Sequence, residues 1–210
     1  YLFIDSKGVD FRDAKKLWGM DTQRTQEEIA EDSGGALAIG PAGENLVRFA
    51  NVASGHRFLG RGGMGAVMGS KNLKAISAKG KEFKILPAKQ KKFEKVKKKA
   101  TDFINRNDIS SGSYRNFGTN ANVNLNNAGG LLPVRNFTGG THGEAHKISG
   151  EEMAEKFKTS YSTCKPCTIL CGHKGNINGQ MRQIPEYETV GLMGSNLEIF
   201  DPVKISDFNE

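Results

Sequence analysis

Leu73-Lys74-Ala75-Ile76-Ser77-Ala78-Lys79-Gly80-Lys81-Glu82-Phe83-Lys84-Ile85-Leu86-Pro87 is the stretch on which the chain changes character. Leu73–Ala78 is a short apolar run that reads as a strand, followed by Lys79-Gly80. Beyond Pro87 the apolar period lengthens: Phe93, Val96, Ala100, Phe103 and Ile104 recur three or four residues apart, with lysines on the remaining face. That spacing predicts an amphipathic helix from Pro87 to about Asn107, its apolar stripe on the core and its lysines in water. Upstream, Leu2–Ile4, Ala36–Ile39 and Leu46–Ala53 read as further strands between glycines, and Phe11–Trp18 and Thr25–Asp32 as short helices. The expected fold is therefore α+β, with a sheet-rich part at 1–86 and a mainly helical part at 87–210. A length of 210 residues accommodates one or two domains.

The downstream part carries its own signals. The polar stretch from Asn116 to Asn127 has room for a short helix, and a loop follows from Leu131 to Gly140. Ser149-Gly150-Glu151-Glu152 is a capping box opening a helix to about Lys158. Pro185 suits the first position of a helix through about Met193, and Asp201-Pro202 opens a last one.

Thirty Lys and Arg against 23 Asp and Glu leave a net charge of +7. The excess is local: Lys79 to Lys99 holds ten Lys and two Glu, a net of +8, leaving −1 for the other 189 residues. A pI near 9.3 ordinarily suggests nucleic acid. However, no Arg occurs between Arg61 and Arg106 to build the Arg- and aromatic-rich face such a groove needs. The solvated face of a helix explains the charge, with a docking surface for an acidic redox partner as the alternative. At a mean hydropathy of −0.50, no apolar run of about 20 residues is present to span a membrane. The opening Tyr1-Leu2-Phe3-Ile4-Asp5 reads as a strand rather than a leader, as expected of a piece of a longer chain.

All three cysteines fall within eight residues, Cys164-Lys165-Pro166-Cys167-Thr168-Ile169-Leu170-Cys171. A disulfide scaffold scatters its cysteines, so this grouping reads as an intracellular, cytoplasmic metal-binding loop. C-x2-C-x3-C supplies three thiolates from one turn, as [4Fe–4S] clusters require, with one further ligand from elsewhere. A three-cysteine site, His173 as the fourth ligand, or a ligand beyond Glu210 all meet that need. Zinc bound by the three Cys and His173 is the competing chemistry, although Cys171-x-His173 is closer than usual zinc-ligand spacing. A non-catalytic Fe–S or zinc module with a basic docking helix is the alternative function.

Gly60-Arg61-Gly62-Gly63-Met64-Gly65-Ala66-Val67-Met68-Gly69-Ser70-Lys71 is the other dense feature. Glycines let consecutive amides converge on an anion, with Arg61, Lys71 and Lys74 as countercharges. A phosphate loop of the G-x4-G-K-[ST] kind fails on residue order. A dinucleotide fingerprint fails because the next strand resumes without room for a long helix. On pattern alone, a glycine-rich turn between strands is an equal reading.

Taken together, Ile39-Gly40-Pro41-Ala42-Gly43-Glu44-Asn45-Leu46-Val47-Arg48-Phe49-Ala50, Gly60–Ile76, the Cys164/Cys167/Cys171 loop and Pro185-Glu186-Tyr187-Glu188-Thr189 resemble, in that order, the aldehyde ferredoxin oxidoreductases. The resemblance implies a tungsten or molybdenum held by two pterin dithiolenes, a nearby [4Fe–4S] cluster, oxidation of small aldehydes to acids, and ferredoxin or another electron-transfer protein as acceptor. It implies that Arg61, Gly62, Gly63, Met64 and Gly65 hold a pterin phosphate, with a bridging magnesium site nearby. Cys164, Cys167 and Cys171 become cluster ligands, and Glu188 or Glu186 the carboxylate near the tungsten. Acids in a first helical turn also simply favour the dipole. Residues 1–86 become the end of a pterin-binding domain and 87–210 the start of a helical one. Members of that family are considerably longer, so this stretch alone is expected neither to hold the whole cofactor nor to turn over. Homo-oligomerisation is left open.

Overall fold

Two units divide the chain, Tyr1–Ile85 and Leu86–Glu210. The structure, a computed structural model, describes residues 1–30, 34–55, 57–80, 86–164 and 167–209.

In the first unit β1 (Leu2–Asp5), β2 (Gly8–Phe11), β3 (Gly35–Ala38), β4 (Val52–Ser54), β5 (Arg57–Leu59) and β6 (Ala75–Ala78) form one sheet in the order β2-β1-β6-β3-β4-β5. β1 and β6 run parallel with Leu2 opposite Ile76, and the other pairs are antiparallel. Three helices complete the unit: α1 (Thr22–Ala30), α2 (Pro41–Glu44) and α3 (Met64–Ser70). Strand periodicity separates two small cores. Ala36 and Ala38 side with Leu17, Ile29 and Ala75, whereas Leu37 and Ile39 side with Val52, Met68 and Ile76. α1 therefore covers one face of the sheet and α3 the other.

Two expectations fail in this unit. Phe11–Trp18 is not a helix, because Phe11 pairs with Leu2 at the end of β2. The following residues turn instead: the Lys15 amide donates to Asp13 Oδ1 and the Leu17 amide to Ala14 O. A short acidic side chain bonding its own backbone competes with helix formation. Leu46–Ala53 is a strand only from Val52. Pro41 at the first helical position starts α2, and Leu46, at φ 57°, turns the chain out of it. The helix expected at Thr25–Asp32 begins earlier, at Thr22, where Asp21 accepts the Arg24 amide at 2.7 Å. Residues 31–33 lie outside the described residues.

The second unit contains α4 (Gln90–Arg106), α5 (Arg115–Phe117), α6 (Asn122–Ala128), α7 (Gly150–Phe157), α8 (Tyr187–Thr189) and α9 (Pro202–Phe208). It also contains an antiparallel sheet, β7 (Ser160–Tyr161), β8 (His173–Ile177) and β9 (Gln180–Gln183), in that order. Its core gathers Val123, Leu132, Met153, Phe157, Ile177 and Val190, among others. Both N-caps form: Ser149 Oγ accepts the Glu152 amide at 3.3 Å, and Asp201 Oδ1 the Val203 amide at 2.9 Å. The return bond of the capping box does not, because the Ser149 amide donates to His146 O at 3.1 Å. The β8–β9 hairpin was legible but unread. Asn178 and Gly179 both have positive φ, as a two-residue Asn-Gly hairpin turn demands.

α4 forms where expected, but its apolar stripe does not reach a core. None of its residues is buried, and Phe93, Val96 and Phe103 are 45%, 55% and 74% exposed. The core is filled by the helices, loops and strands that follow α4 in the chain. At Pro185 the helix starts two residues later than expected, with Glu186 outside it as the N-cap and a π-turn continuing over Val190–Gly194. Among the described residues, no helix is long and apolar enough to cross a membrane.

Candidate metal centre

The cysteine loop fills the connection between β7 and β8. Its neck is closed by the Ser162 amide, which donates to Gly172 O at 2.8 Å. Any side chain at Gly172 would collide with Ser162 O, so glycine is required there by close approach. Within the loop Cys164 is exposed, and Cys167 and Cys171 are half-buried. Lys165 and Pro166, the latter expected to curl the backbone, lie outside the described residues. Leu170, at φ 65°, aims its amide at Cys167 Sγ, 3.5 Å away. That amide holds the Cys167 thiol below its usual pKa, favouring thiolate. Burial pushes Cys171 the other way, reinforced by the charges of Glu186, Cys167 and Cys164. The three sulfurs and the Glu186 carboxylate thus share one electrostatic neighbourhood. A cation-rich group bound there would relieve that mutual repulsion, so the donor set fits a thiolate-bound cluster. Among the described residues, no three His, Cys, Asp or Glu side chains form a ready site for a single ion.

His173 opens β8 and is buried. Its Nε2 is 3.0 Å from Arg115 O, and burial lowers its pKa, so the ring is neutral and Nε2–H donates to that carbonyl. Nδ1 faces Gly118, where a Cβ would sit 3.2 Å from it. The Nε2 edge of the ring is thus committed to the 115–118 segment.

That segment and its continuation were read only as a polar stretch, yet they brace the whole site. Arg115 Nη2 donates to Thr168 O in the cysteine loop at 2.8 Å and to Asn105 Oδ1 in the last turn of α4 at 2.7 Å. Buried Asn120 donates from Nδ2 to Pro185 O at 2.6 Å, and Thr119 Oγ1 accepts the Tyr187 amide at 3.0 Å. These two bonds grip the backbone on either side of Glu186. Asn126 Nδ2 then bonds Tyr187 Oη at 2.6 Å. Glu186 is half-buried and faces Cys171 electrostatically, while Glu188 is exposed on α8. The overlooked signal was the density of Asn around a buried Val123: side chains with donor and acceptor both, placed where apolar residues usually sit.

The glycine segment, in the first unit, works differently. It is a helix start, not a strand-to-strand turn: Gly63 is the N-cap of α3, and Gly62 and Gly63 take positive φ of 84° and 66°. The other glycines serve contact. Gly65 and Gly69 lie against α2 and the 50–51 backbone; a Cβ on Gly43 would sit 2.9 Å from Gly65 O, and one on Gly69 would collide with Gly43 O. Gly65 is buried and spends its amide on Ala50 O at 2.9 Å, so it packs rather than binds. Arg61, Gly62 and Met64 are exposed. The amides of Gly62, Gly63 and Met64 have no acceptor among the described residues, which suits them to an anion. Lys71 is exposed at the far end of α3. Lys74 is not a countercharge: its Nζ is fully buried, 2.5 Å from Glu44 Oε1 and 2.7 Å from Met20 O, and Glu44 also takes the Gly19 amide. An open groove of about 400 Å³ along α2 is lined by Thr22, Pro41, Phe49 and Phe58 among others, but not by Arg61–Gly65.

Comparison with known proteins covers both units. Residues 1–80 match the model of the aldehyde ferredoxin oxidoreductase N-terminal domain, and residues 95–210 that of domains 2 and 3. The chain is 40% identical to the tungsten-containing aldehyde ferredoxin oxidoreductase of Pyrococcus furiosus and 37% to that of Thermococcus kodakarensis, along its whole length. In each case it spans 35% of the relative. An aliphatic sulfonate oxidoreductase subunit of Pyrococcus furiosus is 32% identical over 98% of the chain and 36% of that protein. The active site complex of a benzoyl coenzyme A reductase shares the fold, with a TM-score of 0.66 at 23% identity, over 99% of this chain and 34% of that one. With more than half of its length matched by one family model and most of the remainder by the other, the chain belongs to the aldehyde ferredoxin oxidoreductase family.

Proposed function

We propose that the chain is part of a tungsten- or molybdenum-dependent bis-pterin enzyme that oxidises small aldehydes to carboxylic acids. Electrons leave through a [4Fe–4S] cluster to ferredoxin or a similar carrier. Residues 1–86 then belong to the pterin-binding domain and 87–210 to the start of the cluster-bearing helical domain. The observation that carries this reading is the cysteine loop. Its neck is closed, Cys167 receives an N–H donor, and a carboxylate faces Cys171, in a chain whose two parts match the family in order.

When bound, the pterin-held metal and the cluster supply the redox chemistry; the chain supplies binding, orientation and proton handling. Cys164, Cys167 and Cys171 are three thiolate ligands, with the Leu170 amide stabilising the Cys167 charge. The free amides of Gly62, Gly63 and Met64, with the exposed Arg61 guanidinium, would hold the pterin phosphate, whose charge a magnesium ion would help to neutralise. Converting an aldehyde and water to an acid releases two electrons and two protons. Glu188, exposed on the first turn of α8, accepts a proton at its carboxylate. Glu186, gripped on both sides, sets the field beside the cysteine loop.

Anaerobic purification of the full-length protein tests this. Tungsten or molybdenum with about four iron per chain, and aldehyde-dependent reduction of a viologen dye, are the expected results. Cys167→Ser loses iron, whereas Glu188→Gln keeps both metals and loses turnover. Zinc as the sole metal sinks the reading.

A further inference from the structure

Arg115 carries a donor that its surroundings leave idle. Its Nη2 is fully used, bridging Asn105 Oδ1 and Thr168 O, and its own carbonyl accepts His173 Nε2–H. Its Nε is buried and has no acceptor among the described residues. A buried, cationic N–H without a partner costs several times more than an ordinary lost hydrogen bond, so such groups are rarely left empty. The guanidinium is planar and rigid, so fixing Nη2 on Thr168 O also fixes where Nε–H lies. Thr168 directly follows Cys167 and stands three residues before Cys171. The idle donor is therefore held beside the loop that carries all three thiols. An anionic sulfur bound by those thiols is chemistry able to use it.

Building on the cluster reading above, we propose that Arg115 clamps the cysteine loop to α4 and reserves Nε–H for a sulfur of the bound iron–sulfur cluster, raising the cluster's reduction potential. The direction follows from charge. Reduction adds an electron to an already anionic group, and a fixed cation with an N–H···S bond favours that reduced form.

Redox titration of the full-length protein, with iron content and resonance Raman Fe–S frequencies alongside, tests the assignment. Arg115→Gln removes the charge and the Nε donor; its cluster potential should fall and its Fe–S frequencies shift, with iron content retained. Arg115→Lys keeps the charge but not the fork, and its potential should lie between those of Arg115→Gln and the parent. Unchanged potential and frequencies in a fully loaded Arg115→Gln protein overturn the proposal while leaving the cluster standing. Loss of iron from both folded variants also overturns it, because the residue would then only assemble the loop. A parent protein without iron or sulfide removes the cluster reading itself.

Discussion

The two segments singled out by composition are positioned by opposite means. Around α3 the glycines work through missing atoms: Gly43, Gly65 and Gly69 let two short helices and a loop touch backbone to backbone. Around the cysteine loop, atoms are present and bonded. Arg115, Thr119, Asn120 and Asn126 each hold a neighbouring segment by a side-chain hydrogen bond. A steric device fails when an atom is added, and a hydrogen-bonded one loosens when an atom is removed. The first should break abruptly and the second by degrees.

Gly69→Ala should therefore have the largest effect. Its Cβ would collide with the Gly43 carbonyl, a backbone atom that cannot swing aside. A loss above about 4 kcal/mol is expected, read as failure of the first unit to fold or as a large fall in Tm. Lys74→Met comes next, at about 3–5 kcal/mol, because Glu44 would be left buried without its cation. Adding Glu44→Gln should restore most of that loss, and a double-mutant cycle by denaturant unfolding measures the coupling. If the single and double variants are equally unstable, the pair is not what joins α2 to the strand that follows α3.

On the hydrogen-bonded side, Asn120→Ala should cost about 1–3 kcal/mol. It should also speed amide exchange at Tyr187, since Pro185 O loses its partner. An effect as large as that of Gly69→Ala would erase the distinction between the two regions. The smallest effect belongs to the surface. The side-chain bond from Lys147 holds the Glu144 carboxyl below its usual pKa. Any stability from this pair is thus present above the ordinary carboxylate pKa and lost as pH falls through the lowered one. Because both side chains of this pair are about half exposed to water, Glu144→Gln should leave Tm at neutral pH unchanged within scatter.

Chemistry was more legible in the sequence than geometry. The Ser149 cap and the Asp201-Pro202 helix start are local, and each is satisfied within a few residues of itself. The helix misread at Phe11–Trp18 turned on pairing with Leu2. The misread stretch at Leu46–Ala53 turned on Pro41 and on a positive φ at Leu46. Periodicity placed α4 and its apolar stripe correctly, but a period says which residues share a face and not what that face meets.

From the amino-acid order alone came the α+β division, the family, the grouping of the three thiols and the local nature of the basic charge. Each depends on residue type and short spacing, which the chain carries with it unfolded. Tertiary structure alone decided that Lys74 is a buried strut, that Gly65 packs against the Ala50 backbone, that His173 Nε2 is tied to Arg115 O, and that Arg115 and Asn120 grip the site. Those roles join residues up to 65 positions apart. A side chain's partner at that separation is set by how the backbone folds back, and by which polar groups are buried without water when it does.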